Sequence, residues 1–515
     1  MFRMTQTITN PTRRTFLQGA AAGTLLTASG LPLRARAAQP KRGGELRVAL
    51  VGGSSADRLD AHTAVTNPDL CRVTMLYDAL VHVDHDANVS LGLAESVEPS
   101  KDAMQWTVRL KPGLKFHDGR PVRAKDVKYT YQRIANPEKP LAGASPLKQV
   151  DVDNIEILDD RTVRFPMKSA YAAFPDSTSA GVYFGIVPVD YDPAEPIGTG
   201  PFKFDSFTPG RESLFTRFDE YWGEGPNLDS VRILNFESDI AAFNALQGGQ
   251  VDVFAGAPLS LAAQATPDRG LKTLVGKPGM WTPFTMRVDQ APFDNLDVRT
   301  AFRLLIDRQQ MIDISLSGYG QVGNDVFGLY DPCRAPLVRE RDVDQAKSLL
   351  KKAGHENLTV DLMTADIAAG TVAAAQVFAR QAQDAGVTVN VKQIPVGEFY
   401  GEQYLQWTFA QDFWMYAPYL SQVARALLPD GVYNETHFND EEFNRLYVEA
   451  QATVDPALHC EIIGKMQEID FTRGGFIIPS FNQVIDLMSD KVEGFVPGAA
   501  GYPLGNYGFQ RAWIA

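Results

Sequence analysis

Hydrophobic and polar positions alternate along residues 105–111: Trp106, Val108 and Leu110 are apolar, while Thr107, Arg109 and Lys111 are polar. A strand with one buried face requires that period of two. Lys111-Pro112-Gly113 then turns the chain, Leu114 and Phe116 predict a second short strand, and Asp118-Gly119 supplies the residues that a tight turn favours. After Pro121 the period changes, with Val127, Tyr131 and Ile134 falling at i, i+4 and i+7, one stripe of a helix. Residues 93–134 therefore read strand, turn, strand, turn, helix.

Residues 45–51 (ELRVALV) alternate and then become wholly apolar, the mark of a buried strand, before Gly52-Gly53-Ser54-Ser55. No GK[ST] and no ordered G-x-G-x-x-G follows, so these glycines mark a strand-to-loop transition rather than a phosphate cradle. Residues 202–207 and 214–218 flank Pro209-Gly210 as a hairpin, 240–246 predict a short helix with Ala242, Ala245 and Leu246 towards the core, and 251–253 a strand. Further along, Asp307 with Gln310 and Asp342 with Gln345 form capping boxes, and Gly354 and Gly386 close helices. Alternating strands follow both glycines, Leu358-Val360-Leu362 and Val387-Val389-Val391. Helix, glycine, strand, twice over, is the pattern of βαβ units and places this part in the α/β class.

Residues 12–17 (TRRTFL) put an arginine pair ahead of an uncharged run, 19–33, that is too short and too weakly apolar to span a membrane. With Ala35-Arg36-Ala37 as the cleavage site, residues 1–37 read as a twin-arginine (Tat) signal peptide; an ordinary export signal that happens to carry two arginines is the alternative. No Cys follows the run, so no lipid anchor is expected, and the mature chain is expected to be soluble in the periplasm. Beyond residue 37, 44 Lys+Arg stand against 62 Asp+Glu, a net charge of −18, which argues against nucleic acid and against an anionic membrane surface as partners. The remaining length exceeds the roughly 250–300 residues at which single cores divide, so at least two lobes are expected. Cys71, Cys333 and Cys460 allow at most one disulfide, and the sequence leaves its pairing open. His82 and His85 lack further ligands nearby, so no metal site is expected. The chain has no G-x-S-x-G, no H-E-x-x-H and no Cys/His cluster to carry catalysis.

The wording of several stretches goes further than their periodicity. LAES at 93–96, RLKPGLKFHDGRPV at 109–122, AKDV at 124–127, IGTGPF at 197–202, Tyr221-Trp222, NALQGGQVDV at 244–253, PFDNLDVRTAFRLLIDR at 292–308 and DQAKSLLKKAG at 344–354 span nearly the whole mature chain. Together they resemble the family 5 solute-binding proteins of bacterial ABC importers, which include dipeptide, oligopeptide and nickel binders. Arg123 departs from the Thr or Ser usual there as helix N-cap, a change worth about 1 kcal/mol in capping. The resemblance implies an α/β, two-lobed periplasmic binding protein, type II and large (cluster-C-like), with an extra subdomain in lobe I. It places lobe I at 38–75, 190–287 and 485–515, the subdomain at 76–189 and lobe II at 288–484. It also implies capture of a small solute between the lobes, delivery to the transmembrane subunits of an ABC permease, a monomer, and no cofactor. A secreted hydrolase or a sensory binding protein on the same fold is the alternative.

By the same resemblance, the loop up to Thr66 and Asn67 borders the ligand. Peptide binders carry an aspartate just ahead of the proline matching Pro418, and an arginine where this chain has Asp366; here Trp414-Met415-Tyr416-Ala417 precede Pro418, and the nearest acid is Asp412. Both peptide termini lose their partners, and a buried carboxylate without a counter-charge costs roughly several kcal/mol. A free peptide is expected to bind badly, so the small solute is expected to be a neutral or cationic non-peptide, with a peptide-like solute as the alternative. Trp414 and Tyr416 would serve as faces worth about 0.5–2 kcal/mol each to a cation, with Asp366 as charge partner and Trp281 as a further wall. Trp407, Phe409 and Phe413 read as core. Replacing both Arg13 and Arg14 with Lys is expected to stop export; fractionation showing mature protein in the periplasm would refute the twin-arginine reading.

Overall fold

The computed structural model describes residues 39–515 apart from 65, 140, 142 and 180, so the signal-peptide reading lies outside the described residues. The first strand, Glu45–Val51, coincides with the predicted one and sits in the middle of a seven-stranded sheet. It pairs in parallel with Ser230–Phe236 on one side, from Glu45 opposite Ser230 to Val51 opposite Phe236, and with Val253–Ala257 on the other. The hairpin of Phe202–Thr208 and Glu212–Arg217 extends one edge, and Ile485–Ser489 with Leu271–Val275 extends the other. The strand predicted at 251–253 is assigned from Val253, but Asp252 already bonds both neighbours: its N–H donates to the Arg47 carbonyl and its carbonyl accepts from the Ser489 N–H, each at 2.8 Å, while its carboxylate takes the Arg47 N–H at 2.9 Å and guanidinium at 2.7 and 3.0 Å.

The opening block, residues 93–134, builds a separate four-stranded antiparallel sheet. Gln105–Leu110 lies between Ala94–Pro99 and Thr162–Pro166, with Glu156–Asp159 outermost. Trp106, Val108 and Leu110 face its core, as their alternation demands, and the Trp106 indole N–H donates to the Tyr171 carbonyl at 2.8 Å. The predicted second strand at Leu114 and Phe116 does not form. Both side chains are buried, and the segment forms a minimal hairpin around Gly119: one bridge from Lys115 to Pro121, with the Phe116 N–H donating to the Arg120 carbonyl at 2.9 Å and the Val122 N–H to the Leu114 carbonyl at 3.0 Å. The helix follows at Ala124–Ile134; Arg123 makes no side-chain cap, but Asp126 accepts from the Arg123 N–H at 2.9 Å, so half of the box survives.

A five-stranded sheet forms the core of the later part, in the order Thr388–Gln393, Thr359–Thr364, Phe409–Gln411, Phe284–Met286, Phe476–Ile477. Helices Thr371–Ala382 and Leu296–Leu304 pack Phe378 and Phe302 against Phe409 and Phe284. Asp307 and Asp342 cap their helices by accepting from the N–H groups of Gln310 and Gln345. Gly354 and Gly386 adopt the left-handed conformation in which the helices end. A three-stranded sheet of Met280–Trp281, Ser480–Asn482 and Gly320–Val322 lies where the chain passes between the two large sheets.

Buried charge fixes several loops. Arg72, wholly buried, donates to Asp57 at 3.0 Å, Asp69 at 3.1 Å, Ser213 and Asn235, tying the loop after the first strand to the seven-stranded sheet. The glycines of IGTGPF serve close approach: a Cβ on Gly198 or Gly200 would collide with the carbonyls of Leu76 or Met75. Cys333 and Cys460 form the disulfide, which fastens the 331–337 loop to helix Pro456–Arg473, and Cys71 is free and buried. His85 pairs with Asp86, and no cluster of metal-ligating side chains occurs among the described residues.

Asp325 is the other buried hub. It accepts from Arg308 at 2.8 and 2.9 Å, from Arg339 at 3.0 Å and from the Ile478 N–H at 3.1 Å. Removing one member of a buried ion pair strands the others without a counter-charge, at a cost of about 3–5 kcal/mol. Asp325→Ala should lower stability by that amount, read as an earlier midpoint in urea unfolding; an unchanged midpoint would mean that the arginines find other partners.

Candidate functional site

Three strands of the five-stranded sheet run parallel, Thr359–Thr364, Thr388–Gln393 and Phe409–Gln411, so their carboxyl ends share one edge. Ligand crevices in α/β sheets open outside such ends. The Thr364 hydroxyl donates to Gln411 Oε1 at 2.7 Å across this edge. Two segments leave it: 365–367, which carries Asp366, and 412–418, which carries Trp414 and Tyr416.

The second segment is held by the strand that links the sheets. Trp281 and Trp414 exchange backbone hydrogen bonds at 2.9 and 2.8 Å, and their indoles stack with centroids 5.7 Å apart and planes 9° from parallel. Phe327 stacks on Trp281 at 5.3 Å and Phe476 meets it edge-on. Trp281 is therefore only 2% exposed, and Trp414 is 5% exposed. The Arg425 guanidinium lies 5.2 Å from the Trp414 ring and 5.4 Å from the Tyr433 ring. Trp281 and Trp414, expected as walls of the cleft, thus turn their faces to each other, to Phe327 and to the protein's own cation.

The other expected residues are placed as follows. Tyr416 is half-buried, meets Tyr330 edge-on and donates its hydroxyl to the Ala87 carbonyl of the first lobe at 3.4 Å. Asp366 is exposed and makes no hydrogen bond or ion pair among the described residues. Thr66 is the N-cap of helix Asn67–Leu76, accepting from the Asp69 N–H at 3.3 Å, and Asn67 accepts from the Tyr507 hydroxyl through its backbone and side-chain oxygens. The structure thus brings Trp281, Trp414 and Tyr416 together, while Thr66 and Asn67 belong to a separate group with Tyr507.

Residues that pattern reading passed over stand closer to the chemistry. Arg425 ends helix Tyr419–Ala426 as an exposed cation with no ion pair among the described residues, and its charge reaches Tyr183 and Tyr502 of the first lobe. Asp412 accepts from the Tyr400 and Tyr404 hydroxyls at 2.8 and 2.9 Å and from the Phe413 N–H at 2.8 Å. Glu435 faces it; burial, then the neighbouring Asp412, pushes the Glu435 carboxyl far above the carboxylate range, so the pair holds a proton between them. Trp414 Nε1 turns towards Glu435 but falls outside hydrogen-bond geometry. Only Asp412 had a sequence signal, as the acid nearest Pro418.

The lobes meet around Tyr416. Its hydroxyl reaches Ala87, while Lys277 with Asp86, and the Asn506 amide donating to the Asp84 carbonyl at 3.5 Å, tie the same turn of the subdomain to the rest of the first lobe. Asp176, on helix Phe174–Thr178 of the first lobe, is pushed up to about 7 by burial and then by Asp331 of the second. Burial raises Asp331 as well, against the N–H donors of Cys333 and Tyr419. An Asp176 released into water returns to the ordinary carboxylate range of about 4, so lobe contact takes up a proton. Contact is therefore fully favoured below about pH 4 and loses this support as pH rises towards and through about 7. Small-angle scattering of the ligand-free protein should show expansion between about pH 5 and pH 8, reduced in Asp176→Asn; equal dimensions at both pH values would refute the coupling.

The family model for bacterial extracellular solute-binding proteins, family 5 Middle, matches residues 88–427. Among curated relatives, the glutathione-binding protein GsiB of Pectobacterium atrosepticum is 26% identical over 478 residues, covering 86% of this chain and 90% of its own. Among solved structures, the ABC transporter substrate-binding protein CtaP of Listeria monocytogenes superposes with a TM-score of 0.81 at 21% identity, covering 92% of this chain and 100% of that one. AgaA from A. tumefaciens R10, in complex with agropinic acid, gives 0.74 at 24% identity, covering 92% and 99%. The family match covers well over half the sequence and includes both the opening block and the crossing into the second lobe, so the chain belongs to family 5 of the bacterial extracellular solute-binding proteins, the solute-binding components of ABC importers.

Proposed function

We propose that this protein works in the periplasm as a monomer, closes its two lobes on a small solute that bears a carboxylate or a comparable planar anion, and presents the closed form to its permease. The task is binding, with no turnover. Closure of two lobes converts occupancy into a surface that a partner can read. No helix among the described residues is long and apolar enough to cross a membrane.

The observation that carries the ligand class is Arg425. Its guanidinium is held over Trp414 and Tyr433 while its donors remain without an ion pair among the described residues. A stacked guanidinium is a pre-oriented fork for a carboxylate. The first lobe brings Tyr183 and Tyr502 within reach of the same charge, so an anion on Arg425 would be enclosed from both sides. Tyr416 and Asp366 are the proposed flanking contacts. This replaces the neutral or cationic solute expected from sequence, because the aromatic faces invoked for it are taken. Relatives named for glutathione, and a structural neighbour holding agropinic acid, accord with an acidic solute.

The test is mass spectrometry of small molecules released on denaturing protein purified natively from its own periplasm. An acid should be released by the wild type. Arg425→Gln should weaken its rebinding about ten- to a hundredfold, the worth of a charge-assisted bond of about 1.5–3 kcal/mol. A retained compound without an anionic group, or unchanged rebinding in the variant, would overturn the proposal.

A further inference from the structure

The disulfide lies beside the helix that bears Arg425. Cys333 and Cys460, 127 residues apart in sequence with Cα atoms 4.6 Å apart, join the 331–337 loop to helix Pro456–Arg473. Both residues are half-buried. Only one hydrogen bond stands beside the crosslink between that loop and that helix among the described residues, from the Ala335 N–H to Gln467 Oε1 at 2.6 Å. The loop in turn makes two contacts with the site. The Cys333 N–H donates to Asp331 Oδ1 at 2.8 Å, and Asp331 Oδ2 accepts at 3.2 Å from the N–H of Tyr419, the first residue of helix Tyr419–Ala426. Pro418, at the cap position, supplies no side-chain bond, so Asp331 takes that part; a carboxylate there satisfies a free N–H and complements the helix dipole. Tyr330, next to Asp331, meets Tyr416 edge-on with centroids 5.7 Å apart. A helix of 8 residues depends on such tertiary support, and Arg425 stands in its last turn.

We propose that Cys333 and Cys460 are a thiol–disulfide exchange site at which a disulfide oxidoreductase sets solute affinity: closing the bond pins the loop and, through Asp331 and Tyr330, the helix that aims Arg425, and opening it releases them. The consequence for the solute rests on the Arg425 reading, whereas the pinning of the helix does not. In closing, the two thiols give two protons and two electrons to the partner's disulfide, which leaves as a dithiol; the reverse exchange opens the bond. Cys71 takes no part, because it is buried and burial pushes its thiol far above the usual range. The twin-arginine signal expected at residues 1–37 gives the switch a use. Such a signal exports a chain already folded, from a compartment that keeps thiols reduced, so the cleft stays weak among cytosolic solutes and tightens after export.

The experiment is hydrogen–deuterium exchange of the ligand-free full protein, read by mass spectrometry, with the bond closed, after reduction by dithiothreitol, and after reclosure with hydroxyethyl disulfide. Reduction should free the two thiols and speed exchange of the 419–426 amides about tenfold, by local opening. Reclosure should reverse the change, and strand Glu45–Val51 should exchange equally slowly throughout. Asp331→Ala should give fast exchange at 419–426 with the bond closed. Solute retained by the natively purified protein should leave about tenfold faster on dialysis after reduction. Unchanged exchange at 419–426, exchange that rises in Glu45–Val51 as well, or unchanged loss of solute would overturn the proposal. If Arg425→Gln leaves rebinding unchanged, the acid-binding proposal fails by itself, and the exchange rates still decide whether the disulfide orders this helix. If the Asp331 variant does not fold, reduction of the wild type decides.

Discussion

The structure turns on the antiparallel bridge between Trp281 and Trp414. One residue lies on the strand that crosses from the first lobe to the second, and the other lies on the segment that leaves the carboxyl edge of the second lobe's sheet. Two backbone hydrogen bonds and a parallel ring stack fix the crossing strand and the cleft loop as one unit. A change in position of the crossing is thereby felt by Tyr416, two residues on, which reaches the first lobe at Ala87. Phe327 and Phe476 extend the stack into the second-lobe core, so the loop inherits the rigidity of packed aromatics.

Buried charge is treated in two ways. Two scaffold clusters are matched, with Arg72 meeting two aspartates and Asp325 meeting two arginines and a backbone N–H, while Asp470, wholly buried, keeps both carboxylate oxygens without a hydrogen bond among the described residues. Around the carboxyl edge of the five-stranded sheet, matching stops. Arg425, exposed, has stacking partners without an ion pair, Glu435 shares a proton with Asp412, and Gln411 has an amide nitrogen without an acceptor among the described residues. Unpaired polar groups are tolerated where a ligand or water completes them; Gln422, Gln467 and Asp470 carry unmatched buried atoms away from this edge.

Local pattern made much of the fold legible. The strand at 45–51 and the helix within 240–246 followed from periodicity, and the caps at Asp307 and Asp342 from their side chains. The missing strand at Leu114 and Phe116 shows the limit. Two residues apart, they face the subdomain core together as an alternating strand would, but the pairing across Gly119 is a single bridge and does not extend into a ladder. The glycines of IGTGPF were legible as structural, but their reason, the carbonyls of Met75 and Leu76 more than a hundred residues earlier, was not.

The site was less legible for the same reason. Sequence by itself determined the class of fold, the family, the acid-rich charge of the mature chain and the importance of the segment before Pro418, because each is written in local order or composition. Tertiary structure decided which of that segment's aromatics are buried and what covers them. An indole looks alike in sequence whether its face meets solvent, another ring or a guanidinium. Arg425 and Glu435 reach Trp414 from 11 and 21 residues away along the chain, and only packing brings them there. The sign of the charge that the cleft offers a solute is set by that packing, which no spacing along the chain encodes.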